Sequence, residues 1–306
     1  LEERSIFIFL ISFSFNLLML KTDDFLDKLS IDRISQFNSF FKKTAMDDPI
    51  KPDPPGTKIL MPNDIDLTIL IPVKNEEKNI IPTINRIEKK ININYEILFV
   101  DDFSNDETKK IINKIIKQKK NIFLIENIKQ GLGESVKNGI YHSKGKYLAI
   151  MMCDCSDDVD DLKKYYSEIE SNNLDAVFGS RFLKKSIVSD YPKMKLFLNR
   201  LFNYFISLLY LNRYTDYTNA FKMYKKETLI KLNPIVSESF NVFLELPLKI
   251  INRKYNYKII SINWFGRKNG YSKFKFNELK SKYIFTLIYC FAEKILLLNK
   301  KNKNNK

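Results

Sequence analysis

Asp154-Cys155-Ser156-Asp157-Asp158 brings three carboxylates and a hydroxyl into five residues, directly after the apolar run Tyr147–Met152. Hard oxygen ligands at that density suit Mg2+ or Mn2+, which in turn bridge substrate phosphates. The same residues also suit the start of a helix. Ser156 or Asp157 would cap it, and acids in the first turn favour its dipole. Spacing alone leaves both open. Other polar residues follow apolar runs in the same manner: Asn75 and Glu76, Asp101 and Asp102, and Arg181. Three further features carry less. Cys153-x-Cys155 has no partner ligands, so ordinary packing explains it. Gly131-Leu132-Gly133-Glu134-Ser135-Val136 opens like a dinucleotide fingerprint but lacks the third small residue and does not follow the first strand. His142, the only histidine, sits at a helix end amid surface residues.

The elements that must position these groups are regular from residue 67 onward. Strand-like runs are predicted at Leu67–Ile71, Tyr95–Val100, Ile122–Ile125, Tyr147–Met152 and Ala176–Phe178. Helical patterns lie between and after them, at Glu76–Lys90, Asp106–Lys119, Gly133–His142 and Asp158–Ser171. Short apolar strands alternating with amphipathic helices predict an α/β fold with a mostly parallel sheet buried on both faces. Such sheets bind ligands outside the carboxyl ends of their strands, where the polar groups above fall. Later, Leu196–Leu211 and Tyr283–Leu298 are apolar with few polar interruptions, and both suit helices in a membrane interface or in a core.

The chain has 306 residues, a formal net charge of +15 and 44% hydrophobic residues, a balance that excludes a disordered chain and an integral membrane bundle. Three Cys and one His exclude a disulfide scaffold and a structural zinc site. The positive charge calls for a polyanion, or reflects Lys- and Asn-rich usage throughout a genome. From Lys249 onward there are 15 basic residues against 2 acidic ones, so most of the excess lies beside the last apolar segment. Lysines placed there favour an anionic membrane surface. Nucleic acid is excluded as a partner, for want of a recognition helix, finger or stacking motif. The chain opens on Leu, as a fragment or a misread start would. Ile6–Leu20 is apolar but short for a span and lacks the flank of a signal peptide. It reads as an interfacial or partner-packing helix, or as a truncated membrane anchor. Five prolines between residues 47 and 62 read as a linker. The expected organisation is an N-terminal extension and linker over 1–62, a main domain over 63–275, and an amphipathic helix with a basic tail over 276–306.

The ordered motifs narrow this further. Ile71-Pro72-Val73-Lys74-Asn75-Glu76-Glu77, Val100-Asp101-Asp102-Phe103-Ser104-Asn105-Asp106, Gly131-Leu132-Gly133 and Met151 to Ser156 resemble family 2 glycosyltransferases of the GT-A fold. Gly179-Ser180-Arg181-Phe182, Thr215 to Tyr224 and Arg267-Lys268-Asn269-Gly270-Tyr271-Ser272-Lys273 resemble the dolichol- or polyprenyl-phosphate sugar transferase branch, so that the likeness covers about residues 66–275.

The resemblance implies roles. Pro72, Lys74 and Glu76 would line the nucleotide pocket, with Phe99 and Asp101 holding the base. Asp154 would be the second acid of an Asp-x-Asp metal motif, with Met152 and Cys153 ahead of it in the nucleotide-sugar site. Arg181 and Arg200 would face the phosphates of donor or acceptor, Arg267 and Lys273 would sit on a loop closing over the donor, and Glu245 would serve the acceptor side. Met152 stands where the first acid belongs, and a thioether cannot replace a carboxylate on a hard cation. Either Asp154 holds Mg2+ or Mn2+ together with Asp157 or Asp158 and the donor diphosphate, or catalysis is lost and only binding remains. The implied activity is inverting transfer of a sugar from a nucleotide-diphosphate sugar to a polyprenyl phosphate, by a protein held peripherally at the cytoplasmic face of a membrane. A soluble or glycan acceptor is the alternative.

Overall fold

The computed structural model describes residues 65–267 and 276–304. The expectations for 1–62 and for Lys273 lie outside the described residues. Strands β1 (Leu67–Val73), β2 (Tyr95–Asp101), β3 (Ile122–Glu126) and β4 (Tyr147–Ile150) alternate with helices α1 (Ile80–Lys90), α2 (Thr108–Ile116) and α3 (Leu132–His142). Then follow α4 (Val159–Ser171), β5 (Ala176–Ser180), β6 (Val188–Ser189), α5 (Lys193–Tyr210), β7 (Lys222–Lys225) and α6 (Lys226–Lys231). The chain continues through α7 (Val242–Asn252), β8 (Tyr257–Ser261), β9 (Trp264–Phe265) and α8 (Phe276–Asn304).

Seven strands form one sheet in the order β3-β2-β1-β4-β7-β5-β8, and β6 pairs with β9 beside it. The first four strands are mutually parallel, and β7 runs antiparallel between β4 and β5. This is the expected mostly parallel α/β sheet. The strands from β7 onward carry no clean apolar run, which is why the sequence pattern ends at β5.

The sheet is buried on both faces, as its continuous apolar strands require. Ile69, Ile71, Ile97 and Phe99 pack on one face with Ile80, Ile84 and Ile87 of α1, Ile112 of α2, and Leu162 and Ile169 of α4. Their neighbours Leu70, Leu98, Val100 and Leu148 pack on the other face with Val136 and Ile140 of α3, Tyr210 of α5, and the residues of α7. The period of two along each strand thus divides the core into two layers, each full burial of an Ile or Leu stabilising by about 1.5–3 kcal/mol.

Helix α8 presents Tyr283, Leu287 and Cys290, at helical spacing, to the second layer. Asn252 donates to the Cys290 carbonyl at 2.7 Å, and Arg253 pairs with Glu293 at 2.6 Å, fixing α8 on α7. Tyr210 donates to the Leu287 carbonyl at 3.2 Å, which sets α5 alongside. Away from those contacts α5 exposes Met194, Phe197, Tyr204 and Leu208, and α8 exposes Phe285 and Ile288. Among the described residues no helix is long and apolar enough to cross a membrane.

Candidate functional site

The polar turns converge at the carboxyl ends of β1, β2 and β4. After β1 the chain turns through Asn75, whose φ of +51° places it in the left-handed region. Its backbone N–H donates to Ser104 Oγ at 3.0 Å and its side chain accepts from the Asn105 N–H at 2.8 Å, so the turns after β1 and β2 brace each other. Glu76 is buried; its N–H donates to Thr108 Oγ1 at 2.8 Å and its carboxylate accepts from Asn79 at 2.6 Å. Pro72 lies within buried β1, and Lys74 pairs with Asp102 at 3.6 Å.

Asp101, at the last position of β2, is 2% exposed. Its Oδ2 accepts from the Ser104 N–H at 3.1 Å, whereas its Oδ1 is buried with no hydrogen-bond partner. A buried carboxylate oxygen without a donor is costly, and at the carboxyl edge of a sheet it can accept from the N–H of a ligand. Asp102 beside it is satisfied: its Oδ1 accepts from the Gly131 N–H at 2.7 Å and from Asn127 at 3.0 Å. Gly131 has φ +146° and a Cβ there would lie 2.3 Å from the Glu238 carbonyl oxygen. The Gly-Leu-Gly run is therefore a tight turn anchored on Asp102. Phe99 is fully buried in the first core layer and supports Asp101 by packing rather than by facing the cleft.

The turn after β4 separates its acids. Asp154 accepts through Oδ1 from the Ser156 N–H at 3.1 Å and the Ser156 hydroxyl at 2.6 Å, and through Oδ2 from Arg267 Nη2 at 3.2 Å. Asp157 is 2% exposed and accepts from the Met152 N–H at 3.2 Å. Burial, reinforced by the charge of Asp154, pushes its pKa up to about 7. Asp158 is the N-cap of α4, accepting from the Asp160 N–H at 3.1 Å, and also accepts from Asn263 at 3.3 Å. The helix cap is thus Asp158 rather than Ser156 or Asp157, and Asp154 faces Arg267. Among the described residues no three metal-ligating side chains stand together. Met152 packs against the core, and Cys153 is buried beside Thr83, at 3.8 Å, with burial raising its thiol pKa well above the ordinary range. Ser156, counted with the acids of this run in the sequence, turns its hydroxyl to Asp154. Read forward from Asp154, the Asp-x-Asp spacing falls on this hydroxyl.

Arg86 of α1 was missed by sequence reasoning. It donates to the Cys155 and Asp157 carbonyls, both at 2.8 Å, and so holds the turn from below. No motif contains it; only its place on the face of α1 toward α4 brings it there. From the other side, β9 bridges to Asp157 through Trp264, and the Phe265 N–H donates to the Ser156 carbonyl at 2.9 Å. These contacts, with the Gly266 N–H donating to the Ser189 carbonyl at 3.0 Å, pin the segment that carries Arg267 over the acidic turn. Gly266 is required there, since a Cβ would lie 2.5 Å from the Asp190 Cβ. Arg267 spans Asp154 and Glu76 Oε1, the latter at 3.3 Å. A cleft of about 450 Å³ opens beside it, lined by Asn79, Pro82, Arg86, Cys155, Asp190 and Phe265 among others.

On the far side, Arg181 is buried and held bidentately by Asp216, with Nε–Oδ2 at 2.9 Å and Nη2–Oδ1 at 2.7 Å. Burial alone would lower its pKa, but the Asp216 charge and hydrogen bonds outweigh this and raise it. Its guanidinium lies 5.4 Å from the Phe182 ring centre, and that of exposed Arg200 lies 5.5 Å from the same ring. Lys195, on the first turn of α5, has its pKa lowered by burial and by the charges of Arg181 and Arg267. Glu245 is brought to none of this. It is fully buried in α7, where it accepts from the Val236 and Ser237 N–H groups at 2.9 and 2.7 Å and pairs with buried Lys249 at 2.8 Å.

Comparison with known proteins accords with this geometry. A dolichyl-phosphate beta-glucosyltransferase of Dictyostelium discoideum is 28% identical over 223 residues, 66% of this chain and 67% of that protein. The dolichyl-phosphate beta-glucosyltransferase ALG5A of Trichomonas vaginalis is 30% identical over 151 residues, 43% of this chain and 47% of that protein. The chain therefore spans about two thirds of the first relative's length and about half of the second's. Among solved structures, glucosyl-3-phosphoglycerate synthase from Mycobacterium tuberculosis in complex with Mn2+, uridine diphosphate and glucosyl-3-phosphoglycerate superposes with a TM-score of 0.56 at 15% identity, covering 74% of this chain and 80% of that one. S. aureus TarS 1-349 gives 0.55 at 15% identity, covering 76% and 66%. These two share the fold, that of GT-A glycosyltransferases. Residues 68–232 match the family described as Glycosyl transferase family 2, more than half of the chain, and the protein belongs to that family.

Proposed function

We propose that the protein transfers a sugar from a nucleotide-diphosphate sugar to a polyprenyl phosphate at a membrane surface. The observation that carries the donor half of this reading is the orphaned Oδ1 of Asp101. A pyrimidine or purine ring N–H would satisfy it, and the sugar diphosphate would then extend toward the turn of Asp154, with Arg267 beside it. The oxygens present fit a hard divalent cation of the Mg2+ or Mn2+ kind, which takes one or two carboxylates and fills its shell with water and phosphate. Asp154 would hold it, with the Ser156 hydroxyl beside that carboxylate, and the ion would offset charge on the departing diphosphate.

The chain's own residues do the rest. Arg267 supplies planar, bidentate donors suited to phosphate oxygens. The exposed Arg200 is at hand for a second anion, the acceptor phosphate, which is largely ionised near neutral pH and needs little help from a base. Arg181, clamped by Asp216, orders the wall between them through Phe182 rather than offering itself to substrate.

Support for a lipid acceptor comes from α5. Met194, Phe197, Tyr204 and Leu208 are exposed along one helix that also carries Lys193, Lys195 and Arg200 and no acid. An apolar stripe with basic flanks is the pattern of a helix lying on an anionic bilayer. The names of the dolichyl-phosphate relatives point the same way. The test is calorimetric titration with uridine and guanosine diphosphate sugars in Mn2+, followed by transfer of labelled sugar to polyprenyl phosphate in vesicles. One of the nucleotides should bind, and Asp101→Asn should weaken it by about ten- to a hundredfold, the worth of one charged hydrogen bond. Binding of neither nucleotide would overturn the reading.

A further inference from the structure

We propose that Arg267 is a cation latch: in the ligand-free protein its guanidinium pairs with Glu76 and with Asp154, the carboxylate that would hold a divalent ion, so that metal enters only together with the donor diphosphate. The inference rests on the nucleotide-sugar reading above and adds an order of events to it. Its basis is the arrangement of charge. Arg267 reaches Glu76 Oε1 at 3.3 Å and Asp154 Oδ2 at 3.2 Å, and all three side chains are largely withdrawn from solvent. The other oxygen of Asp154 is taken by Ser156 through two hydrogen bonds. Both oxygens of this carboxylate are therefore engaged before any ligand arrives.

The latch is held by backbone. The Phe265 and Gly266 N–H groups donate to the Ser156 and Ser189 carbonyls, and the absence of a side chain at Gly266 lets the segment lie against Asp190. A single carboxylate binds a hard cation weakly, and here the ion would also have to expel a guanidinium from two acids and leave it without a counter-charge. A diphosphate changes that exchange. It offers oxygens to the metal and, at the same time, a bidentate partner to the displaced arginine. Metal and nucleotide then bind with strong positive coupling, which by linkage is felt equally by each.

The test is Mn2+ titration followed by electron paramagnetic resonance, with and without nucleoside diphosphate, on the full chain, on Arg267→Met and on Arg267→Lys. Circular dichroism of the same samples reports folding. By linkage, the wild-type protein is expected to bind Mn2+ at least about tenfold more tightly with nucleotide than without. Arg267→Met should bind Mn2+ alone at least about tenfold more tightly than wild type, with the coupling to nucleotide reduced, and adding Asp154→Asn should abolish that gain. Arg267→Lys, a point charge that cannot span both acids, should fall between. Equal affinity of wild type and both variants for Mn2+ alone would overturn the latch. That result is separate from failure of the functional reading, which would appear as absence of nucleotide binding in every protein and metal condition.

Discussion

Along β3-β2-β1-β4 the charged side chains stand on short turns at the strand ends, whereas around β7 and α7 charge is buried and neutralised internally. In the first region Asp101 keeps a carboxylate oxygen without a hydrogen-bond partner and Asp154 faces Arg267. In the second, Arg181 is clamped by Asp216, Glu245 by Lys249 and two backbone N–H groups, and Lys222 donates to the Tyr217, Asn219 and Phe243 carbonyls. Residues of the same chemical type thus do opposite work. Near the parallel strand ends they stand at the edge where the proposed donor would bind; farther along the sheet they neutralise one another in the core.

Three substitutions probe that contrast. The largest effect is expected on activity from Asp154→Ala, which should lower the transfer rate by about 10²–10³-fold, the usual cost of losing one group that stabilises developing charge. Its unfolding free energy should change by less than about 1 kcal/mol. A loss of stability on the scale of the loss of activity would erase the distinction between the two regions. Next, Glu245→Gln should destabilise the protein by about 3–5 kcal/mol, because it leaves buried Lys249 with an uncompensated charge. The KM for either substrate in the folded protein should stay within about twofold of wild type, since additivity holds between distant sites. A raised KM for the acceptor at unchanged stability would instead make Glu245 a substrate-binding acid.

The smallest and most specific effect concerns Lys222. Burial lowers its pKa to about 7, against the partly opposing charge of Asp216. The folded protein therefore binds fewer protons at this site than the unfolded chain between about pH 7 and the ordinary lysine value near about 10.4, and stability contributed there rises with pH across that window. Chemical denaturation of wild type and Lys222→Met at about pH 7 and about pH 9.5 should show the wild type gaining on the variant at the higher pH. A gap independent of pH would mean that Lys222 stays charged in its buried site.

Much of the first region was legible in the sequence because its order is local. Each strand is an apolar run ended by polar residues, and the parallel pairing of β1 with β2 and β4 brings those ends to one edge. Asp101 and Asp102, and the run from Asp154 to Asp158, could be placed at that edge on that ground alone; the resemblance singled out Asp101 and Asp154 among them. The roles within the acidic run could not be read so. Asp157 and Asp158 carry the same side chain as Asp154, yet one is buried against the Met152 N–H and the other caps α4. Glu245 illustrates the same limit at longer range: its motif places it on α7, but only the packing of α7 against α8 and the 232–241 segment puts it in the core. The two apolar segments, read as helices in a membrane interface or in a core, each place one face in the second core layer and expose another.

By itself the sequence determined the alternation of strand and helix and which polar residues end the strands, since these follow from periodicity and local chain geometry, and its ordered motifs carried the resemblance to the family. The tertiary structure alone decided which charges meet. Asp154 and Arg267 are 113 residues apart, and Glu76 and Arg267 are 191 apart. Whether a carboxylate serves a ligand, caps a helix or neutralises a buried lysine depends on distances of a few ångströms and on exclusion of water. Both are set by the folded chain as a whole, because Coulomb and desolvation energies act through space rather than along the sequence.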